Sequence, residues 1–292
     1  MAKIHTQVEG DIIEAELQCR RCGQVYDVRE GVGRFLPKTS TKQSKTISSY
    51  ESGRALSSYL WAHYGEFIPD RGASEAYELW SSLITPTTGL GIDAGCAVGR
   101  FSFEMSSKCE AVVGVDASEA FVRTARTLML NRKVDACFPI EGHISRKQVI
   151  ELPDTYNIHN VEFIVADVEA LPFASAMAKV FVSLNVVDKI AHPLAHVLEM
   201  NRVVVRHGAQ CLFSDPFSWS DEVAEATQWL GGKDSGPFSG RGLDNLKGLL
   251  QGEKGLVMPP WKIEKVGNVW WKIRNHENHF ELIRSWYIKA TR

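Results

Sequence analysis

The chain has 292 residues, 44% of them hydrophobic, with a formal net charge of -2. That length admits one full α/β domain with a small appendage, and the hydrophobic content excludes general disorder. The charge lacks the basic excess of a nucleic-acid binder, no apolar run is long enough for a membrane span, and MAKIHTQVEGD lacks the apolar core of a signal peptide, so a soluble cytoplasmic protein without a membrane partner is expected.

Apolar alternation at Ile13, Ala15 and Leu17 predicts a strand, and Val25 to Val28 predicts a second. Between them lies CRRCG, in which Cys19 and Cys22 have the spacing of half a tetrahedral zinc site. No second pair of ligands lies nearby in the sequence, so zinc and a metal-free β-hairpin both remain open. The other cysteines, Cys96, Cys109, Cys137 and Cys211, are scattered and read as small buried or half-buried residues. With the following Tyr26, Glu30–Gly33 and Phe35–Pro37, the stretch resembles the second half of the small zinc-ribbon-like domains found ahead of some methyltransferases and in methyltransferase-activator proteins.

Residues 38–52 are rich in Ser, Thr and Lys and read as a linker, or as a lid over a ligand. Two helices are expected next, Ala55 to Tyr64 and Ala73 to Leu83. Tyr59, Trp61, Tyr64 and Phe67 cluster there, chiefly for helix packing, with some members available to roof a pocket.

From Leu90 the pattern alternates strand and helix. GIDAGCAVGR, Gly91 to Arg100, is a buried strand ending in a tight turn that opens a helix, and its glycines allow a ligand close to the backbone. Asp93 stands at the strand tip before Gly95. A carboxylate there would repel a pyrophosphate but pair with an ammonium group, which favours S-adenosylmethionine over a nicotinamide cofactor. Gly95, Cys96, Ala97 and Gly99 then form the cofactor loop. A second strand, Ala111–Val115, ends in Asp116, at the distance from Gly95 expected of a ribose-binding carboxylate, with Ala117 beside it; Asp116 could alternatively cap the helix Ser118–Leu130. Residues 132–160 form a polar insert. The strand Val161–Ala166 ends in Asp167, suited to an adenine amino group, with Val168 offering a backbone NH. The strand Val180–Leu184 leads into Asn185 and Asp188. Polar residues at every strand tip mark the carboxyl edge, where open α/β sheets bind ligands. His192 and His196 fall at the start and on the expected solvent face of the helix Pro193–Val205. The strand Ala209–Ser214 follows, and Trp261–Ile273 and Phe280–Thr291 are expected to form a terminal antiparallel pair.

These elements predict an α/β, Rossmann-like class I methyltransferase with a seven-stranded, mostly parallel sheet in the order 3-2-1-4-5-7-6. The expected organisation is a β-hairpin module over residues 1–37, a linker with lid helices over 38–85 and the cofactor-binding domain over 86–292.

From Tyr50 onward the chain also resembles the 4-mercaptohistidine N-methyltransferase domain of ovothiol biosynthesis. The resemblance rests on HYG at His63–Gly65, GCAVGR, NVVDKIAHP after the fourth strand, DPFSW at Asp215–Trp219, QWLGG at Gln228–Gly232 and the tail KIRNHENHFELIRSWYIKATR. Ala97 departs from the general methyltransferase loop, where a glycine is common, and the sulfoxide synthase portion of that family is absent. The resemblance implies methyl transfer to an imidazole nitrogen or thiol of a histidine-derived small molecule. Asn185 could touch the cofactor or position the substrate, and Asp188 could hold an imidazolium; each also fits a cap or a helix surface. Tyr64, Trp219, Trp229 and Arg274 are further candidate substrate contacts, with packing, or for Arg274 and His276 an exposed turn, as the alternative. An RNA or protein methyltransferase and a non-catalytic cofactor-binding scaffold are competing readings, and oligomeric state is not encoded in any motif.

Overall fold

The computed structural model describes residues 2–20, 22–37, 49–70 and 72–292. Most of the expected linker at 38–52 lies outside the described residues.

Among the described residues thirteen strands form in chain order, eleven of them in one sheet ordered β1-β2-β3-β4-β9-β6-β5-β10-β11-β13-β12. The central parallel strands are β5 (Leu90–Ala94), β6 (Ala111–Asp116), β9 (Val161–Val165), β10 (Ala178–Leu184) and β11 (Gln210–Asp215). Their near-continuous apolar runs suit strands covered on both faces. β12 (Lys262–His276) and β13 (His279–Thr291) form a long hairpin, with β13 antiparallel to β11. The stretch from β9 to β12 thus runs in the order expected of the seven strands.

The seven-strand count itself is corrected to eleven. The N-terminal residues make a four-strand meander, β1 (Ala2–Val8), β2 (Asp11–Gln18), β3 (Val25–Arg29) and β4 (Val32–Arg34), where a hairpin was expected. β4 pairs in parallel with β9, and the Phe35 N–H continues the ladder to the Val165 carbonyl at 2.7 Å. An uncovered β9 would leave a row of unpaired backbone groups, which the meander satisfies. Side chains fasten the addition: Arg34 grips Glu119 through two hydrogen bonds of 2.6 and 3.0 Å, and buried Arg126 joins Asp11 and Glu162.

Helices cover both faces of the sheet. One core packs α1 (Gly53–Tyr64), α2 (Ala76–Ser82), α3 (Arg100–Met105) and α4 (Glu119–Asn131) on one side. The other packs α5 (Pro193–Val203) and α6 (Gly242–Leu250). Alternate residues serve opposite sides, as Leu212 faces the first core and Cys211 and Phe213 the second. α4 shows why the helices form where they do. Ser118 caps it by accepting from Phe121 N, and Phe121, Val122, Ala125, Leu128 and Met129 make one buried stripe. The polar insert folds as a separate hairpin, β7 (Lys133–Glu141) with β8 (Ile144–Glu151). Among the described residues no helix is long and apolar enough to cross a membrane.

Candidate active site

The five parallel strands end on one edge, and above it opens a cavity of about 590 Å³. Asp93, Gly95, Cys96, Ala97, Asp116 and Ala117 line it together with Asp167, Val168 and Asn185. The sequence candidates for cofactor contact therefore converge on one space, except Gly99. That glycine has φ +87°, and a Cβ would stand 2.7 Å from Phe163 and 2.9 Å from Ala125, so its absent side chain lets α3 close against the sheet.

Gly95 shapes the cavity floor. Its φ is +82°, and a Cβ would lie 2.3 Å from Val186 Cγ2, so only glycine leaves the backbone open there. Asp116 fixes the loop from the neighbouring strand by accepting from Ala97 N and Ser118 N, both at 2.9 Å. It is not the cap of α4; Ser118 has that role. Burial pushes the Asp116 carboxyl up to about 6, against the pull of its backbone hydrogen bonds. Asp93 accepts from Ser102 Oγ at 2.7 Å and is pushed up to about 7, first by burial and also by the nearby Asp116. The cavity floor thus carries two costly carboxyls, each ready to gain from a cation or from hydroxyl donors. Asp167 accepts from Glu169 N at 2.8 Å, which turns the chain at the tip of β9.

One wall is aromatic. Tyr50, Tyr59, His63, Tyr77, Phe121 and Trp271 all face the cavity. His63 packs on Tyr77 at 4.7 Å between ring centroids, and Tyr59 on Phe121 at 4.9 Å. Burial, with Arg100 nearby, lowers the His63 pKa to about 3, so the imidazole is neutral; its Nδ1 is buried without a hydrogen-bond partner among the described residues. An orphaned polar atom on a cavity wall is a place for a ligand group. Arg100 stands behind this wall, 2% exposed, held by Glu66, by Glu104 at 2.7 Å and by the His63 carbonyl at 2.9 Å. Of this wall, only Tyr59 belonged to the group expected from sequence to supply a pocket roof. Tyr59 and His63 lie four residues apart on α1, a spacing that puts both on one face and could have revealed the pair.

Several sequence candidates lie elsewhere. Tyr64 is fully buried and donates to the Val98 carbonyl at 2.7 Å, bracing the loop from behind. Asp188 is buried, accepts from Ser218 N at 2.6 Å and pairs with Lys189 at 3.2 Å; Lys189, and not Asp188, reaches the cavity. Trp219 and Trp229 stack on each other away from the cavity, and the Trp229 indole donates to the Ala224 carbonyl. Arg274 is 6% exposed rather than at an open turn, and pairs with Asp70 at 2.7 Å. His196 is fully buried, not on a solvent face, and meets Ser183 Oγ at 2.9 Å. His192 does line the cavity, bound to Glu169 at 2.7 Å. These placements have one cause, since periodicity places a residue on an element but does not say what the neighbouring element brings against it.

The zinc reading finds no support. Cys19 and Cys22 sit in the turn between β2 and β3, and among the described residues no three His, Cys, Asp or Glu side chains gather to hold a metal. A tetrahedral site needs four ligands, so the turn does not fit one.

Residues 92–212 match the methyltransferase domain family. No curated protein matches the sequence. Among solved structures the chain is similar to one described for the conversion of a disulfide bond into a thioacetal group during echinomycin biosynthesis, at 18% identity over 82% of this chain and 91% of that one, with TM-score 0.48. It is similar to the YcgJ protein of Bacillus subtilis, at 11% identity over 74% of this chain and 98% of that one, TM-score 0.48. A third is a methyltransferase from Methanosarcina mazei, at 16% identity over 70% of this chain and 92% of that one, TM-score 0.44. The family match runs from within β5 to within β11 and so follows the cavity edge.

Proposed function

We propose that this chain, an S-adenosylmethionine-dependent methyltransferase by its domain at residues 92–212, methylates a small-molecule nucleophile. The observation that carries the proposal is the cavity itself: a glycine-floored, carboxyl-lined half adjoins a buried aromatic half. The residues fit the cofactor. A Cβ at Gly95 would fill the cradle, and Asp93 and Asp116 are buried carboxyls that an ammonium and ribose hydroxyls would satisfy. When bound, the cofactor supplies a methyl group on a sulfonium, and transfer leaves a neutral thioether.

The chain's own part is to hold and to exclude. Asp93 holds the amino end, Asp116 the ribose, and Asp167 with Val168 the base. Tyr59 and Tyr77 offer ring faces, which attract a cation. The aromatic wall keeps water from one side of the reacting atoms, and alignment at near-attack distance supplies most of the rate for an already reactive nucleophile. His63, neutral throughout the working pH range, contributes a hydrogen-bonding nitrogen and not a charge.

For the acceptor we propose a histidine-derived imidazole or thiol, on the strength of the sequence resemblance and of the aromatic wall that Tyr59, His63, Tyr77 and Trp271 contribute. Mass spectrometry after incubation with S-adenosylmethionine and histidine thiols, free histidine or simple thiols tests it. A methylated histidine thiol is the expected product. Methylation of simple thiols alone would remove the histidine scaffold from the reading.

A further inference from the structure

A buried relay ends on Asn185. Trp271, 5% exposed on β12, donates its indole N–H to Ser285 Oγ at 3.0 Å, and Ser285, fully buried on β13, donates in turn to Asn185 Oδ1. An indole nitrogen can only donate, so Ser285 accepts from it, and the one hydroxyl proton goes to Asn185 Oδ1. The backbone holds the residue as firmly: Asn185 has φ +59°, a conformation that asparagine tolerates, and its N–H donates to the Ser214 carbonyl at 2.6 Å.

The consequence falls on Nδ2. With Oδ1 committed, the carboxamide's NH2 end makes no hydrogen bond to any described residue, and Asn185 lines the cavity beside Trp271. We infer that the Trp271–Ser285–Asn185 relay turns Asn185 into a fixed hydrogen-bond donor that selects a planar acceptor molecule bearing a lone-pair or anionic atom, such as a thiolate, phenolate or unprotonated ring nitrogen. An amine or amide that presents N–H to this point meets two further donors and is disfavoured. Ser285 and Trp271 are positioning residues, since they reach the ligand only through Asn185. The inference deepens the methyltransferase reading and rests on it.

The test uses 4-nitrophenol at pH 8, where its hydroxyl is ionised, against 4-nitroaniline, a ring of the same shape that donates N–H. Both are titrated into the full chain saturated with S-adenosylhomocysteine. A hydrogen bond to a charged acceptor predicts that the phenolate binds about tenfold more tightly than the aniline. Asn185→Asp, which puts an acceptor where the donor stood, should erase or invert that ratio. Ser285→Ala should shrink it by releasing the carboxamide to turn over, and Trp271→Phe should do so more weakly. Ser285→Ala, which lies outside the cavity lining, should keep the wild-type affinity for S-adenosylhomocysteine, and the other two variants should melt as the wild type does, which separates lost selection from lost fold. Equal binding of the two probes, absence of phenolate binding to the loaded protein, or a ratio unmoved in Asn185→Asp would overturn the inference. Failure of the wild-type chain to bind S-adenosylhomocysteine would instead remove the reading on which it rests.

Discussion

On the proposed pairing of Asp93 with the cofactor's ammonium group, cofactor affinity depends on pH. The Asp93 side chain is buried, its carboxyl is pushed up to about 7, and Ser102 hydrogen-bonds to it through both its Oγ and its backbone. The free protein therefore carries a largely neutral Asp93 below pH 7, and an ammonium group gains from it only once it has lost its proton. If the bound carboxylate returns to its ordinary range, affinity is full well above pH 7 and falls as pH drops through that value. For one such group the loss between pH 8 and pH 6 is about tenfold, or about 1.4 kcal/mol. Asp116, at about 6, steepens the fall only at the acid end. Calorimetric titration of S-adenosylhomocysteine across this interval measures the slope directly. Asp93→Asn, of the same shape without the charge, should bind more weakly at pH 8 and lose the slope. A wild-type affinity that is flat from pH 8 to pH 6, or a slope that persists in Asp93→Asn, would refute the pairing of Asp93 with the ammonium.

Three further outcomes follow from the packing. Gly95→Ala places a methyl 2.3 Å from Val186 Cγ2 at φ +82°, so thermal melting should show a loss of about 1–3 kcal/mol and S-adenosylhomocysteine binding should disappear with it. Arg100→Met leaves Glu104 and Glu66 without their buried partner and should cost about 3–5 kcal/mol in denaturant unfolding; a change within error would mean that water already reaches the pair. His63, lowered to about 3, binds fewer protons folded than unfolded, so its contribution to stability is complete above 6.5 and declines as pH falls toward 3. Comparing acid unfolding of wild type and His63→Leu isolates that decline, which the variant should lack.

The parallel strands and their polar tips were legible because each left a local mark: a short apolar run, then a polar residue, at a set distance from Gly95. The loop GCAVGR, Asp116 and Asp167 carried enough of this to locate the cavity edge. What was not legible depends on lateral neighbours. Nothing local to Val32–Arg34 says that it will pair with a strand some 130 residues later, so the meander looked like a detached hairpin. Arg274 read as a turn residue because β12 runs on to His276 and Asp70 arrives from a distant loop. Trp271 and Ser285 each read as one more residue of a long terminal hairpin, and only their meeting with Asn185 gives them a direction. α6 was missed despite its signal, as Leu243, Leu246, Leu249 and Leu250 have helical spacing.

The central claim is that the edge above Gly95, Asp93 and Asp116 holds S-adenosylmethionine. Titration of S-adenosylhomocysteine at pH 8 into the wild-type chain and into Asp116→Ala tests it most directly. The account predicts saturable one-to-one binding to the wild type and clear weakening in a variant that melts as the wild type does. Absence of binding to the wild type, or equal affinity in Asp116→Ala, would contradict it.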